Sequence, residues 1–226
     1  MVKSGLVEKE GPARVSQYRL TGHLGGAFVL YALCLWSGLA QLLPPEKMEV
    51  TKKMLTFRKM AHGTKGLIFL TALSERYRRF QLQHGAAGGL VAGIQAGLVY
   101  NTFPKMGSTW VPSDLLANSP TWTNFFENPT AVQFNHRVLA ETTFVAAMGL
   151  WAYSRKLPLP PRARKAVNAV AAMACVQVGL GITTLLLYVD KALASIHQFG
   201  ALAFLTAAIW LTHELKLVKI LRRIPK

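Results

Sequence analysis

Long apolar runs alternate with short polar and basic segments along the 226-residue chain. A bilayer core of about 30 Å is crossed by roughly 20 helical residues. Three runs reach that length with no charge: residues 20–43, 166–189 and 192–212, the predicted helices A, D and E. A fourth, helix C at 131–153, is apolar apart from Arg137 and Glu141, which lie four apart on one helix face and can pair. The fifth is irregular. Residues 60–73 are followed by a polar stretch at 74–84 containing Arg76, Arg78 and Arg79, then by glycine-rich residues 85–100. Neither half spans comfortably alone. Joined they make one helix, B, with the polar stretch at about 75–87 read as an insertion extruded near one helix end.

Charge in the connections tests this pattern. Residues 44–59 carry five basic and two acidic residues, 154–165 five basic and none acidic, and 213–226 five basic and one acidic. Segment 101–130 holds only Lys105 against Asp114 and Glu127. With five spans, the three basic segments fall on one side, as the positive-inside rule requires, and the C-terminus lies inside. The tail 1–19, with four basic and two acidic residues, falls outside and is the one misfit. Segment 101–130 also carries Trp110, Trp122, Phe125 and Phe126 among Pro104, Pro112 and Pro129. It reads as a surface-lying segment on the outer side, with a lid over a site as the alternative.

Composition agrees. The chain is 51% hydrophobic and 16% charged, against roughly 25% charged in soluble domains, and its mean hydropathy of +0.27 excludes a disordered tail. The net charge of +16 sits between apolar runs, which suits membrane topology and not nucleic acid. Cys34 and Cys175 both lie inside apolar runs, so no disulfide framework is expected.

Candidate chemistry lies in the six histidines. Helices A, C and E run in the same direction, and His23, His136 and His197 each fall one to two turns below their outer ends. His62 enters from the opposite side, His84 lies in the polar stretch and His213 at an inner helix end; these three are read as structural. Two imidazoles at equal depth on facing helices can clamp a planar metal macrocycle, and neutral imidazole is an axial ligand of haem iron. Small residues continue each face: Ala140, Thr143 and Ala147 after His136, Gly200, Ala201 and Ala208 after His197, and Gly26 and Ala27 after His23. The alternative is histidines bonded to neighbouring helices in a close-packed bundle. Arg137, beside His136, is placed to meet a haem propionate or to pair with Glu141. Gly179 and Gly181, inside a span, are assigned to helix packing.

Helices A and E align without gaps on their histidines: H-L-G-G-A-F-V-L-Y-A-L-C-L-W from His23 and H-Q-F-G-A-L-A-F-L-T-A-A-I-W from His197. The match points to duplication. If E closes a four-helix unit, A closes an equivalent unit, so the chain is expected to be a C-terminal piece of an eight-helix protein.

The segments F-R-K-M-A-H-G-T-K-G-L (57–67), G-L-V-Y-N-T-F-P-K-M-G (97–107), F-F-E-N-P-T-A-V-Q-F-N-H-R (125–137), Q-V-G-L-G-I-T-T-L-L (177–186) and H-Q-F-G-A-L (197–202) resemble haem A synthase of the mitochondrial, cytochrome c oxidase assembly type. The resemblance covers nearly the whole chain. It implies an oxidoreductase that converts haem O to haem A by stepwise hydroxylation of a ring methyl, loss of water leaving the formyl group. It implies haem b held by His136 and His197, with Arg137 beside it, relaying electrons to the substrate haem. His23 corresponds to one ligand of that substrate haem iron. The remaining catalytic residues are expected on N-terminal helices this chain does not contain.

The expected fold is all-α, a polytopic membrane helix bundle with one leading helix plus a four-helix haem-binding bundle. The parts are an outer tail (1–19), the last helix of an N-terminal half (20–43), a basic inner loop (44–59), the C-terminal bundle (60–212) and a basic inner tail (213–226). The resemblance further implies five spans in the mitochondrial inner membrane with the C-terminus in the matrix. It also implies a ferredoxin-type electron donor, contact with haem O synthase, and a homo-oligomer. The competing readings are an inactive b-type cytochrome-like fragment and a cofactor-free structural membrane subunit.

Overall fold

The computed structural model describes residues 6–7, 14–15, 17–82 and 96–218. A two-residue ribbon pairs β1 (Leu6–Val7) with β2 (Arg14–Val15). The helices are α1 (Gln17–Leu42), α2 (Lys52–Leu82), α3 (Ala96–Val99), α4 (Asn124–Glu127), α5 (Pro129–Ser154), α6 (Pro161–Leu186) and α7 (Lys191–Glu214). Predicted helices A, C, D and E correspond to α1, α5, α6 and α7. Helix α2 differs from predicted helix B. It starts at Lys52 because the Thr51 hydroxyl accepts from the Met54 amide at 3.2 Å, and lysine, methionine and arginine are good helix formers even in a basic segment. At its other end the backbone stays helical through Leu82. The expected extrusion from residue 75 is therefore not found over 75–82, and residues 83–87 lie outside the described residues, as does His84.

Helices α2, α5, α6 and α7 close a four-helix ring, each packed on its two neighbours, and α1 leans on α7 and α2 from outside. The ring's core is Phe57, Ile68, Leu150, Val167, Val170 and Leu205, all nearly solvent-free. Polar side chains stitch the helices. Thr71 Oγ1 lies 2.8 Å from Thr143 Oγ1 between α2 and α5. Trp151 donates to Asn168 at 3.1 Å between α5 and α6. Tyr31 meets Thr206 at 2.7 Å between α1 and α7. Helix α1 buries only one face. Phe28 is in the core, while Val29, Leu30 and Leu33 are exposed.

Local chemistry sets the helix ends near the site. Asn128 caps α5, accepting from the Thr130 and Ala131 amides, with Pro129 in the first turn. Asp190 caps α7 through the Ala192 and Leu193 amides. The hairpin between α6 and α7 turns through Tyr188 and Val189, whose φ angles of 52° and 60° are left-handed. This turn ends α6 three residues before the apolar run does. Arg164 donates to the Ser154 and Leu157 carbonyls at 2.8 and 2.7 Å and closes the last turn of α5.

Among the described residues, three segments are long and apolar enough to cross a membrane by length and composition: Gly25–Leu42, Pro161–Leu186 and Lys191–Leu217.

Candidate functional site

His136 on α5 and His197 on α7 line one cavity inside the ring, and both are buried. Each follows its cap closely, so equal helix rise brings both to one level. The cavity encloses about 930 Å³ of empty space, its open mouth included.

The His136 imidazole is oriented from α2. Its Nδ1 lies 2.9 Å from Ser74 Oγ. The single Ser74 hydroxyl proton goes to the Thr71 carbonyl, 2.7 Å away. Ser74 Oγ therefore accepts, the proton sits on His136 Nδ1, and Nε2 carries the lone pair of the ring. Space for the second imidazole comes from α6. A Cβ on Gly181 would stand 3.2 Å from His197 Cε1 and 3.4 Å from Nε2, so glycine lets the ring lie against the helix backbone. Gly181 was assigned to general helix packing, and its packing partner is this histidine. Gly200 plays a matching part: a Cβ there would collide with the Gln177 amide.

Two donors face the cavity without hydrogen-bond partners among the described residues. They are Arg137 Nε and Gln177 Nε2, both buried. The rest of the Arg137 guanidinium is committed. Nη2 donates to the Tyr100 and Thr102 carbonyls at 3.0 and 2.8 Å, and Nη1 to those of Pro104 and Lys105 at 3.3 Å. Segment 100–107 is thus wrapped around one guanidinium. Gln133 adds a bond to the Tyr100 carbonyl at 2.9 Å, and the Asn101 amide reaches the Leu185 carbonyl of α6 at 2.8 Å. Gly107, at φ 66°, closes the wrap against the Tyr100 ring. Phe103 rides on this segment and lines the cavity. Phe103 is the part of segment 101–130 that reaches the cavity lining. Arg137 does not pair with Glu141 within salt-bridge distance; carbonyls take its Nη atoms instead.

The outer segment is built on buried amides. Asn124 donates to the Asn118 and Thr121 carbonyls, both at 2.9 Å, and accepts from Asn128. Asp114 accepts from Thr130 at 2.6 Å and from the Tyr100 hydroxyl at 3.3 Å.

The structure does not bring His23 to this cavity. It lies on α1, outside the ring, and is exposed. His62 and His213 lie toward the other end of the bundle, where His213 is fully buried and packs edge-on against Trp36 with ring centroids 5.2 Å apart. Sequence reasoning missed Ser74, Gln177 and Phe103. Ser74 stood at the edge of a presumed insertion, and Gln177 was the polar exception in an otherwise apolar stretch of helix.

The donor set fits a haem. Two imidazoles, one with its tautomer fixed by Ser74, line an apolar slot walled by small residues such as Ala140, Ala174 and Ala201. Orphan donors on Arg137 and Gln177 suit the anionic edge of such a ring.

Comparison with known proteins agrees. A family model described as cytochrome oxidase assembly protein, COX15-CtaA, matches residues 1–209. Human heme A synthase COX15 is 52% identical over an alignment of 229 positions, covering the whole chain and 51% of that protein. The heme A synthase of Nitrosospira multiformis is 43% identical over 216, covering 96% of this chain and 56% of its own. Heme A synthase COX15 of Saccharomyces cerevisiae is 38% identical over 246, covering 96% and 48%. The chain spans about half the length of the curated relatives it matches. No solved structure matches. With most of its length matched by the model and by relatives of this kind, the chain belongs to the COX15-CtaA cytochrome oxidase assembly protein family.

Proposed function

We propose that this chain is the haem-b-binding C-terminal half of a haem A synthase, an oxidoreductase that turns the ring methyl of haem O into the formyl group of haem A. The observation that carries this is the shared cavity of His136 and His197, with Ser74 holding the His136 proton on Nδ1. A b haem bound there supplies one-electron relay toward the substrate haem.

The chain's own residues do the rest. His136 and His197 present their ring nitrogens from opposite walls, and Ser74 fixes the first of them. Arg137 Nε and Gln177 Nε2 hold the polar edge of the ring. Phe103, on the segment gathered by Arg137, excludes water from the mouth. His23, exposed on α1, serves the substrate haem with residues of an N-terminal half. The one-sided burial of α1 supports its membership of that half, with 44–59 as the linker and 60–212 as this unit. We place the protein in the mitochondrial inner membrane with five spans and its C-terminus in the matrix. Helices α2 and α5 are the two spans that charge makes less apolar. A ferredoxin-type donor, haem O synthase and a second copy are the partners we expect.

The test is a reduced-minus-oxidised optical spectrum of the detergent-purified chain, with His136→Ala and His197→Ala beside it. A low-spin b-type signal, lost in both variants, is the expected result. A folded chain that takes up no haem, or a signal indifferent to both substitutions, overturns the assignment.

A further inference from the structure

A second cavity lies at the other end of the bundle, between α1, α2 and α7. It is lined by Trp36, Arg58, His62, Thr212, Lys216 and Leu217, and encloses about 730 Å³ of empty space with its open mouth included. We propose that this cavity binds the phosphate of an anionic phospholipid from the leaflet on the side of the basic segments.

Its chemistry is cationic and unsatisfied. Arg58 Nε and His62 Nε2 are buried and have no hydrogen-bond partner among the described residues. Such donors in a protein interior imply an acceptor that fills the space between them. Lys216 Nζ contacts His213 Nε2 at 2.9 Å, which uses one of its three N–H groups and leaves its charge at the cavity wall. Lys65 lies over the Trp36 ring, 5.9 Å from its centroid, and adds positive field. The carboxylate on the adjoining turn, Glu214, does not cancel this charge. It is held by Arg162 at 2.7 Å and by the Trp210 indole at 3.0 Å.

Position selects a lipid over a soluble anion. Arg58 and His62 stand six and ten residues into α2, about 9 to 15 Å along its axis. That is the depth of headgroups and their glycerol backbones beside a basic loop. Trp36 of α1 forms part of the lining, and Leu33 and Val29 on the same helix are exposed and offer an apolar track for acyl chains. A basic pocket between spanning helices on the positively charged side is a recognised way of holding lipid phosphate. This site shares no lining residue with the histidine cavity, so it stands or falls separately from the haem assignment.

The experiment is native mass spectrometry of the purified full chain titrated with phosphatidylglycerol or phosphatidylcholine. The same titrations are run on Arg58→Gln/Lys216→Gln, on Lys216→Gln alone and on Arg155→Gln, which lies at the same end but outside the cavity. Phosphatidylglycerol should bind more tightly than phosphatidylcholine. The double variant should weaken it roughly 30-fold, at about fivefold per charge removed, while Arg155→Gln leaves it unchanged. Lys216→Gln, a single change at a half-buried position in the turn after α7, keeps the test informative if the double variant fails to fold. Equal binding of the two lipids, or full retention of phosphatidylglycerol by Lys216→Gln, overturns the site. Displacement by millimolar inorganic phosphate assigns it to a soluble anion and overturns the lipid reading.

Discussion

Ser74 Oγ and His136 Nδ1 stand 2.9 Å apart, and the serine proton is already given to the Thr71 carbonyl. One helix thus decides which nitrogen another helix offers. Ser74→Ala should leave the fold intact, because the serine sits at the rim and not in the ring core. It should weaken haem retention about 10- to 100-fold, the range for losing a partner that orients a metal ligand. Haem titration of the apo-chain measures this directly. Unchanged affinity would show that the hydrogen bond does not orient the ligand.

Gly200 and Gln177 are mutually dependent. Gly200→Ala drives a methyl into the Gln177 amide, and an overpacked interior typically loses about 1–3 kcal/mol. Gln177→Ala removes the obstacle. The double substitution should therefore recover most of the melting temperature that Gly200→Ala loses, and additive losses would refute the coupling.

Arg137 holds four carbonyls of segment 100–107. Arg137→Lys keeps the charge but not the planar fork. Amide exchange at 100–107 should rise by at least tenfold, equivalent to about 1.4 kcal/mol of lost closure, while α6 and α7 stay protected. Hydrogen-exchange mass spectrometry reads both regions in one experiment.

At the opposite end the ion pair is lopsided: the Glu214 side chain is 0% exposed and that of Arg162 27%. Removing the arginine leaves a carboxylate with nowhere to go, whereas removing the acid leaves a guanidinium that reaches water and still donates to the Leu43 and Pro44 carbonyls. Arg162→Ala should cost about 3–5 kcal/mol and Glu214→Gln distinctly less. Denaturation in detergent at neutral pH ranks the two, and the reverse order would refute the argument.

What the chain's pattern revealed, and what it hid, follows one physical line. Helices α1, α6 and α7 were legible because uncharged runs of bilayer length have few other solutions, and α5 because its only charges, Arg137 and Glu141, lie four apart on one face. His136 and His197 were legible because their spacing from helix starts fixes their depth. The start of α2 was hidden: Lys52, Lys53, Arg58 and Lys59 carry charge, and charge was read as loop. Arg137 was singled out, but its role was not visible. Its partners are main-chain carbonyls 32 to 37 residues away, and a carbonyl leaves no mark in a sequence. Glu214 was counted with the basic tail. The signal that separates it is a lone acid where a span ends, four residues after Trp210, whose indole it accepts from.

The Asp190 cap fixes where α7 begins, and His197 follows seven residues later. A helix advances about 1.5 Å and turns about 100° with each residue. The cap therefore acts as the zero mark of a ruler read by the imidazole. One residue added between them would swing the ring about 100° around the axis, away from Gly181 and into the half-buried position that Gln198 now holds. Substitutions in this stretch can be absorbed by repacking, but a change of length cannot. The interval from cap to histidine is the quantity that evolution of this hairpin must hold constant, whatever side chains fill it.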